Sequence, residues 1–166
     1  TNLGANVGSC IITNLSTGET KGINTGQIFS KGIHPTRDLP LLQVIVAELG
    51  RDPMNTRVSC PQSVGYGGAM GPAQFIPSTW SLIKFKIASA LGKTIPDPWN
   101  PTDAIMASSI LLQGGGAGSR TYTSERNAAC KYYSGRSCSD PTVKNAFYGD
   151  SVMALARQIQ ADIDLL

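Results

Sequence analysis

Four cysteines constrain this chain more than any other feature. Cys10, Cys60, Cys130 and Cys138 form an even set, and their spacings fit no zinc template of paired Cys-x-x-Cys or Cys/His clusters. Cys130 and Cys138 bracket the short loop "KYYSGRS", so local pairing is expected there, which leaves Cys10 for Cys60. By the chain-entropy estimate such bridges contribute about 2.5 and about 4 kcal/mol. Pairing points to an oxidising compartment; four reduced, buried cysteines in a cytosolic protein are the alternative. The lone His34, in "GIHPTRD", does not rescue a metal reading, and no metal is expected.

A chain of 166 residues with 41% hydrophobic content can bury one ordinary core, so one domain is expected over residues 1–166. The 14 basic side chains stand against 11 acidic ones, a net charge of +3, and they are scattered. A nucleic-acid binder would want a basic stripe, so no nucleic-acid partner is expected, while an anionic polymer or surface is mildly favoured. No apolar run reaches the length of a membrane-spanning helix, and no signal peptide is legible at Thr1. Any signal or membrane anchor is expected upstream of this chain.

Proline and glycine punctuate the rest. Residues 1–38 are rich in Gly, Asn, Thr and Ser with weak periodicity and read as loop or short extended pieces. "LPLLQVIVAELG", Leu39 to Gly50, is apolar nearly all round and closes on glycine, as a buried helix would; a buried strand is the alternative. Pro77 and Ser78 open "STWSLIKFKIASALG", with Trp80, Leu82, Ile83, Ile87, Ala90 and Leu91 on one face and Gly92 at its end. In "NPTDAIMASSILLQGGG", Asn100 can cap, Pro101 suits the first helical position, and Asp103 favours the positive end of the helix dipole. Two more helices are expected. One runs from about Ser124 through Tyr133, the other from about Ser151 to the end, with Val152, Leu155, Ile159, Ile163 and Leu166 along its apolar stripe. Gly114 to Gly116 read as a helix exit, since no P-loop Lys and Ser/Thr follow. The chain therefore reads as mainly helical with long loops.

The stretch "GYGGAMGPAQFIPSTW", Gly65 to Trp80, passes from bare glycines into a helix start. Glycines let a backbone approach a bulky ligand while the next helix fixes the side chains that follow. Gln74 offers an acceptor and two donors at once, as sugar hydroxyl and acetamido groups require. Tyr66, Tyr132 and Tyr133 would supply flat apolar surface with a polar tip. The alternative is that Gln74 caps a loop and the tyrosines fill the core.

That stretch, followed by "DPWNPTDAIMASSILL" and then "AACKYYSG", resembles the motif series of the lytic transglycosylases, in the branch around membrane-bound lytic transglycosylase B. The resemblance covers roughly residues 59–135. It implies a lysozyme-like α+β fold with a glycan-binding groove, and cleavage of peptidoglycan between N-acetylmuramic acid and N-acetylglucosamine. By the same resemblance Gln74 matches the glutamine that faces the bound sugar, Tyr66 and Gly67 the groove wall before it, and Tyr132 the tyrosine of a "YN.G" segment. Tyr133 stands where that segment has asparagine. The partner implied is the peptidoglycan glycan strand, met by a monomer without cofactor in a secreted, periplasmic or envelope-associated setting.

The family pattern "E-[ST]-x-x-G" puts the acid on a helix ahead of this region. Thr1, Asn2, Leu3 and Gly4 look like the residues directly after that glutamate, so the resemblance implies a domain short at its N-terminus, with its catalytic residue outside the chain. One carboxyl would protonate the glycosidic oxygen and then, as carboxylate, take the proton of the 6-hydroxyl, giving a 1,6-anhydro product without water. Glu48, late in an apolar helix, is the substitute to weigh, because burial could raise its pKa; a solvent-facing helix end is the alternative. Glu19 and Glu125 read as surface or helix-start residues. Two further readings compete: a peptidoglycan-binding module without the acid, and a disulfide-stabilised structural domain with no sugar site.

Overall fold

A computed structural model describes residues 8–63, 65–144 and 146–166. Thr1, Asn2, Leu3 and Gly4, which the family pattern would place behind its glutamate, lie outside the described residues. The fold is mainly helical with one small antiparallel sheet. The chain divides into two compact units, one up to Ala107 and one over Ser108–Leu166.

The polar N-terminal part of the first unit, too weakly patterned for a helix, folds as a meander of β1 (Cys10–Ile12), β2 (Thr20–Gly22) and β3 (Ile28–Phe29) in that order. Cys10 pairs with Gly22 and Thr20 with Phe29. Cys10 also exchanges backbone hydrogen bonds with Val58, at 3.0 and 2.9 Å. The Cys10–Cys60 disulfide therefore reinforces an approach that the backbone already makes.

Helix α1 (Leu39–Glu48) buries Leu39, Leu42, Ile45 and Val46, the 3.6-residue stripe expected of a helix rather than a strand. It ends as the glycine predicts. Gly50 takes φ +65, its N–H bonds to Ala47 O, and the N–H of Arg51 reaches back to Val46 O, the two bonds of a Schellman closure. Helix α2 (Pro77–Leu91) packs on α1 and buries Trp80, Ile83 and Ile87. Leu82, expected on the inner face, is 81% exposed. Trp80, Ile83 and Ile87 already complete the narrow stripe that α2 presents, and Leu82 lies outside it.

Asn100 caps helix α3 (Pro101–Gly114) as expected, its Oδ1 accepting from the N–H groups of Thr102 and Asp103 at 2.9 and 3.3 Å. Asp103 is more than a dipole partner. It is fully buried, accepts from Asp97 N–H at 2.8 Å, and meets Lys93 Nζ at 2.5 Å. Buried carboxylates persist where both oxygens are satisfied in this way.

In the second unit, Thr121 and Ser124 form a capping box at the start of α4 (Tyr122–Ser134), a signal that sets the helix start two residues ahead of Ser124. Cys130 is joined to Cys138. Helix α5 (Ala146–Ile163) packs on α4 through Gly149 and Met153, its buried residues. A Cβ at Gly149 would stand 2.4 Å from Cys138 Sγ, so a side chain there would push the helix off the disulfide. The expected inner stripe of α5 is not the packed one: Leu155, Ile159, Ile163 and Leu166 are all at least half exposed. Apolar periodicity marks the helix, but it starts at Ala146 rather than near Ser151, and its packed face centres on a glycine that periodicity ignores. No helix among the described residues is long and apolar enough to cross a membrane.

Arg126 grips Asp150 with two bonds, Nε–Oδ1 at 2.5 Å and Nη2–Oδ2 at 2.9 Å, pinning α4 to α5. Hydrogen bonding from Arg126 holds the Asp150 carboxyl below its ordinary value of 3.8. A depressed folded-state value means that the pair stabilises at neutral pH and that this contribution is lost as pH falls through the depressed value. Arg126→Gln should therefore lower stability at pH 7, and its difference from the parent should shrink on acidification below 3.8. Urea denaturation across that range checks this; a difference that is constant with pH would contradict it.

Candidate functional site

The Gly65–Trp80 stretch is built by backbone contacts within the first unit. Ser59 N–H donates to Ala69 O at 2.8 Å, Gly68 N–H to Ser59 O at 2.9 Å, and Gly67 N–H to Gly32 O at 2.7 Å. Ser59 Oγ adds a bond from Ala69 N–H at 3.0 Å. The segment thus sits between the backbone at Ser59 and that at Gly32. Here the expected reason for the glycines is corrected. A Cβ at Gly67 would lie 2.4 Å from Ser59 O, and one at Gly71 only 1.9 Å from Pro98 O. The bare backbone is required first by the chain's own packing. Gly67 is buried, so what the structure shows for it is packing against Ser59.

Gly71 against Pro98 also brings together two stretches far apart in sequence, "GYGGAMGPAQF" and "DPWNP". Within the first of them a tight hairpin forms, with Met70 N–H bonded to Phe75 O at 2.9 Å and both residues buried. Gln74 stands at its tip. It is exposed and holds φ +56, the left-handed region that costs a side-chain-bearing residue about 1–2 kcal/mol. Its N–H and its Nε2 both donate to Gly71 O, at 3.2 and 2.7 Å. One amide donor of Gln74 is therefore committed to the loop that presents it, and the side chain is fixed in orientation rather than free to search.

Tyr66 is 41% exposed and packs on the His34 ring, centroids 4.8 Å apart and tilted 49°. His34 Nδ1 accepts from Arg37 N–H at 3.2 Å, which places the neutral ring's proton on Nε2. Nothing about His34 beyond its lack of metal-binding company was legible in the sequence; the aromatic partner shows only in space.

Tyr132 and Tyr133 belong to the second unit, and consecutive helical positions send them to different partners. Tyr132 is half-buried and bonded to Ser108 at 3.2 Å; burial raises its phenol above the ordinary value, against the lowering effect of Ser108. Tyr133 is 55% exposed and stacks on Tyr148 at 4.6 Å. Tyr148 also raises the Tyr132 phenol, so the two tyrosines differ in burial while sharing that neighbour.

The acids divide clearly. Glu48 is exposed and ion-paired with Lys84 at 2.7 Å, so the burial a proton donor would need is missing, and the solvent-facing alternative holds. Glu19 accepts from Thr13 at 2.8 Å. Glu125 lies in the first turn of α4. Asp38 is buried but committed to Arg37 at 2.7 Å and to Ser78 N–H at 3.1 Å. Among the described residues no group of His, Cys, Asp and Glu side chains could hold a metal ion. Comparison with protein-family models, with curated proteins and with solved structures finds no match to this chain.

Two substitutions separate the roles of this loop. Gly71→Ala adds a clash to a left-handed backbone and should cost roughly 3 kcal/mol. Gln74→Gly instead relieves the positive φ and should hold or raise stability, within about 1 kcal/mol. Chemical denaturation measures both; a large loss for Gln74→Gly would make Gln74 a structural residue.

Proposed function

We propose that this chain is the glycan-binding part of a lytic transglycosylase domain of lysozyme-like fold, acting on peptidoglycan outside the cytoplasm. The observation that carries the reading is Gln74: a non-glycine residue held in left-handed backbone, exposed at a hairpin tip, with its amide oriented by Gly71. Strain concentrated at an exposed polar residue marks a functional position more often than a structural one. Tyr66, in the same glycine-rich stretch and packed on His34, supplies an amphipathic ring of the kind sugars meet. The mainly helical fold with a small sheet is compatible with the proposed class, and two disulfides fit an oxidising compartment.

The reaction proposed is cleavage between N-acetylmuramic acid and N-acetylglucosamine with a 1,6-anhydro product. A single carboxyl would act first as acid and then as base. The family pattern assigns it immediately before Thr1, and none of the chain's 11 acids is proposed in its stead. Tyr132 and Tyr133 are proposed as sugar contacts of the second unit. Non-catalytic binding of the same glycan is the second reading, favoured by the surface ion pair that occupies Glu48.

The chain as it stands should be retained on insoluble peptidoglycan without releasing 1,6-anhydromuropeptides. Extended by the family helix ending in glutamate before Thr1, it should release them, with the 10²–10⁴-fold typical of general acid catalysis. Mass spectrometry of the soluble products decides. Release by the short chain would overturn the placement of the acid, and reducing-end products from the long one would make the domain a hydrolase. Gln74→Gly, stable by the measurement above, should reduce retention several-fold; unchanged retention would remove Gln74 from the site.

A further inference from the structure

His34 and Tyr66 meet where two stretches of backbone lie against each other. Gly67 N–H donates to Gly32 O at 2.7 Å, and a Cβ at Gly68 would stand 3.0 Å from the side chain of Ile33. The His34 and Tyr66 rings lie beside this contact with centroids 4.8 Å apart, inside the range in which aromatic pairs attract.

The two rings are not held alike. His34 is fixed by its own turn: its carbonyl accepts from the N–H groups of Asp38 and Leu39 at 3.1 and 3.0 Å, and its Nδ1 from Arg37 N–H at 3.2 Å. Those bonds tie it to the start of α1, where Asp38 and Leu39 are both buried. Tyr66 has no such anchor. It follows Gly65, which is exposed, takes φ +98 and would have nothing within 4 Å of an added Cβ. Among the described residues the Tyr66 hydroxyl has no hydrogen-bond partner, so its side chain is held by packing, and His34 is the ring on which it packs.

We propose that His34 is a positioning residue for Tyr66: the imidazole, anchored to the start of α1, sets the angle at which the tyrosine ring is offered to a glycan. The inference rests on the glycan-binding reading, in which Tyr66 is a sugar contact. It assigns two tasks to two parts of one side chain. Nδ1 closes the turn, and the ring supports Tyr66. Each task can be removed without the other.

The test uses two substitutions in the intact chain. His34→Asn keeps an acceptor for Arg37 N–H and removes the ring; Asn14 and Asn100 already accept from the N–H three residues ahead, at 3.1 and 3.3 Å. His34→Phe keeps the ring and removes the acceptor. Urea denaturation should place His34→Phe below His34→Asn in stability, since only the former leaves an N–H without its partner. Recognition should reverse that order. The Tyr66 ring resonances in NMR, identified by their loss in Tyr66→Phe, should stay near their parental positions in His34→Phe and move toward those of a free tyrosine in His34→Asn. Retention on insoluble peptidoglycan should stay within about twofold of the parent in His34→Phe and fall roughly three- to tenfold in His34→Asn. A purely structural role would make retention follow stability instead. Should His34→Asn not fold, His34→Ser supplies the acceptor without the ring. Parental retention or unmoved Tyr66 resonances in the ringless variant would overturn the proposal, and so would an equal fall in both variants. A parent chain that is not retained would defeat the glycan-binding reading, and the Tyr66 resonances alone would then decide whether His34 positions that ring.

Discussion

Much of the first unit hangs on one buried carboxylate. Asp38 is 1% exposed and stands at the start of α1, where its carbonyl accepts from Leu42 N–H at 2.8 Å. Its Oδ1 simultaneously accepts from Ser78 N–H at 3.1 Å, at the start of α2. Two helix N-termini, each with orphan N–H groups and a partial positive charge, thus converge on one residue. Desolvating a carboxylate is costly, and Arg37 offsets that cost at 2.7 Å. The arrangement fixes where α2 begins, and α2 begins two residues after Phe75 closes the hairpin. The conformation of Gln74 is therefore set from both sides, by Met70 and Phe75 paired within the hairpin and by Asp38 behind the helix that follows.

Asp97 and Asp103 continue the same economy in the "DPWNP" stretch. Asp103, wholly buried on α3, holds Asp97 by its backbone N–H. Asp97 in turn uses its side chain on Trp99 N–H and Arg51. Pro98 lies between them, with its carbonyl against Gly71. A displacement of this turn would disturb the hairpin through Gly71 and the Arg51 ion pair through Asp97 at once.

Local signals told more about helices than about their faces. Asn100 and Pro101, Gly50 and Gly92 mark helix boundaries by the backbone chemistry they permit, and that chemistry acts within four residues of each end. The faces are decided by distant partners. Leu155, Ile159 and Ile163 keep a helical period while lying at least half exposed, because Gly149 is the position that can approach Cys138. The glycines of Gly65–Trp80 were legible as places of close approach, but a sequence does not say what approaches. Ser59 and Pro98 do so here, where a ligand was expected. The pairing of Tyr66 with His34 and the unequal burial of Tyr132 and Tyr133 are likewise tertiary facts with no local trace.

That correction sharpens the reading of Gln74 instead of weakening it. Had Gly67 and Gly71 been kept bare for a ligand, the loop would depend on that ligand for its shape. Because their space is filled by the chain itself, the hairpin is formed before binding, and the strain at Gln74 is borne by the fold. Preorganisation of this kind lowers the ordering cost of recognition, which for a polar side chain is about 0.5–1.5 kcal/mol. Gln74 Nε2 also closes the loop on Gly71 O at 2.7 Å, a bond that glycine, which enters left-handed backbone more readily, could not make. Under the proposed reading the same amide would meet a sugar from a position that the loop has already fixed.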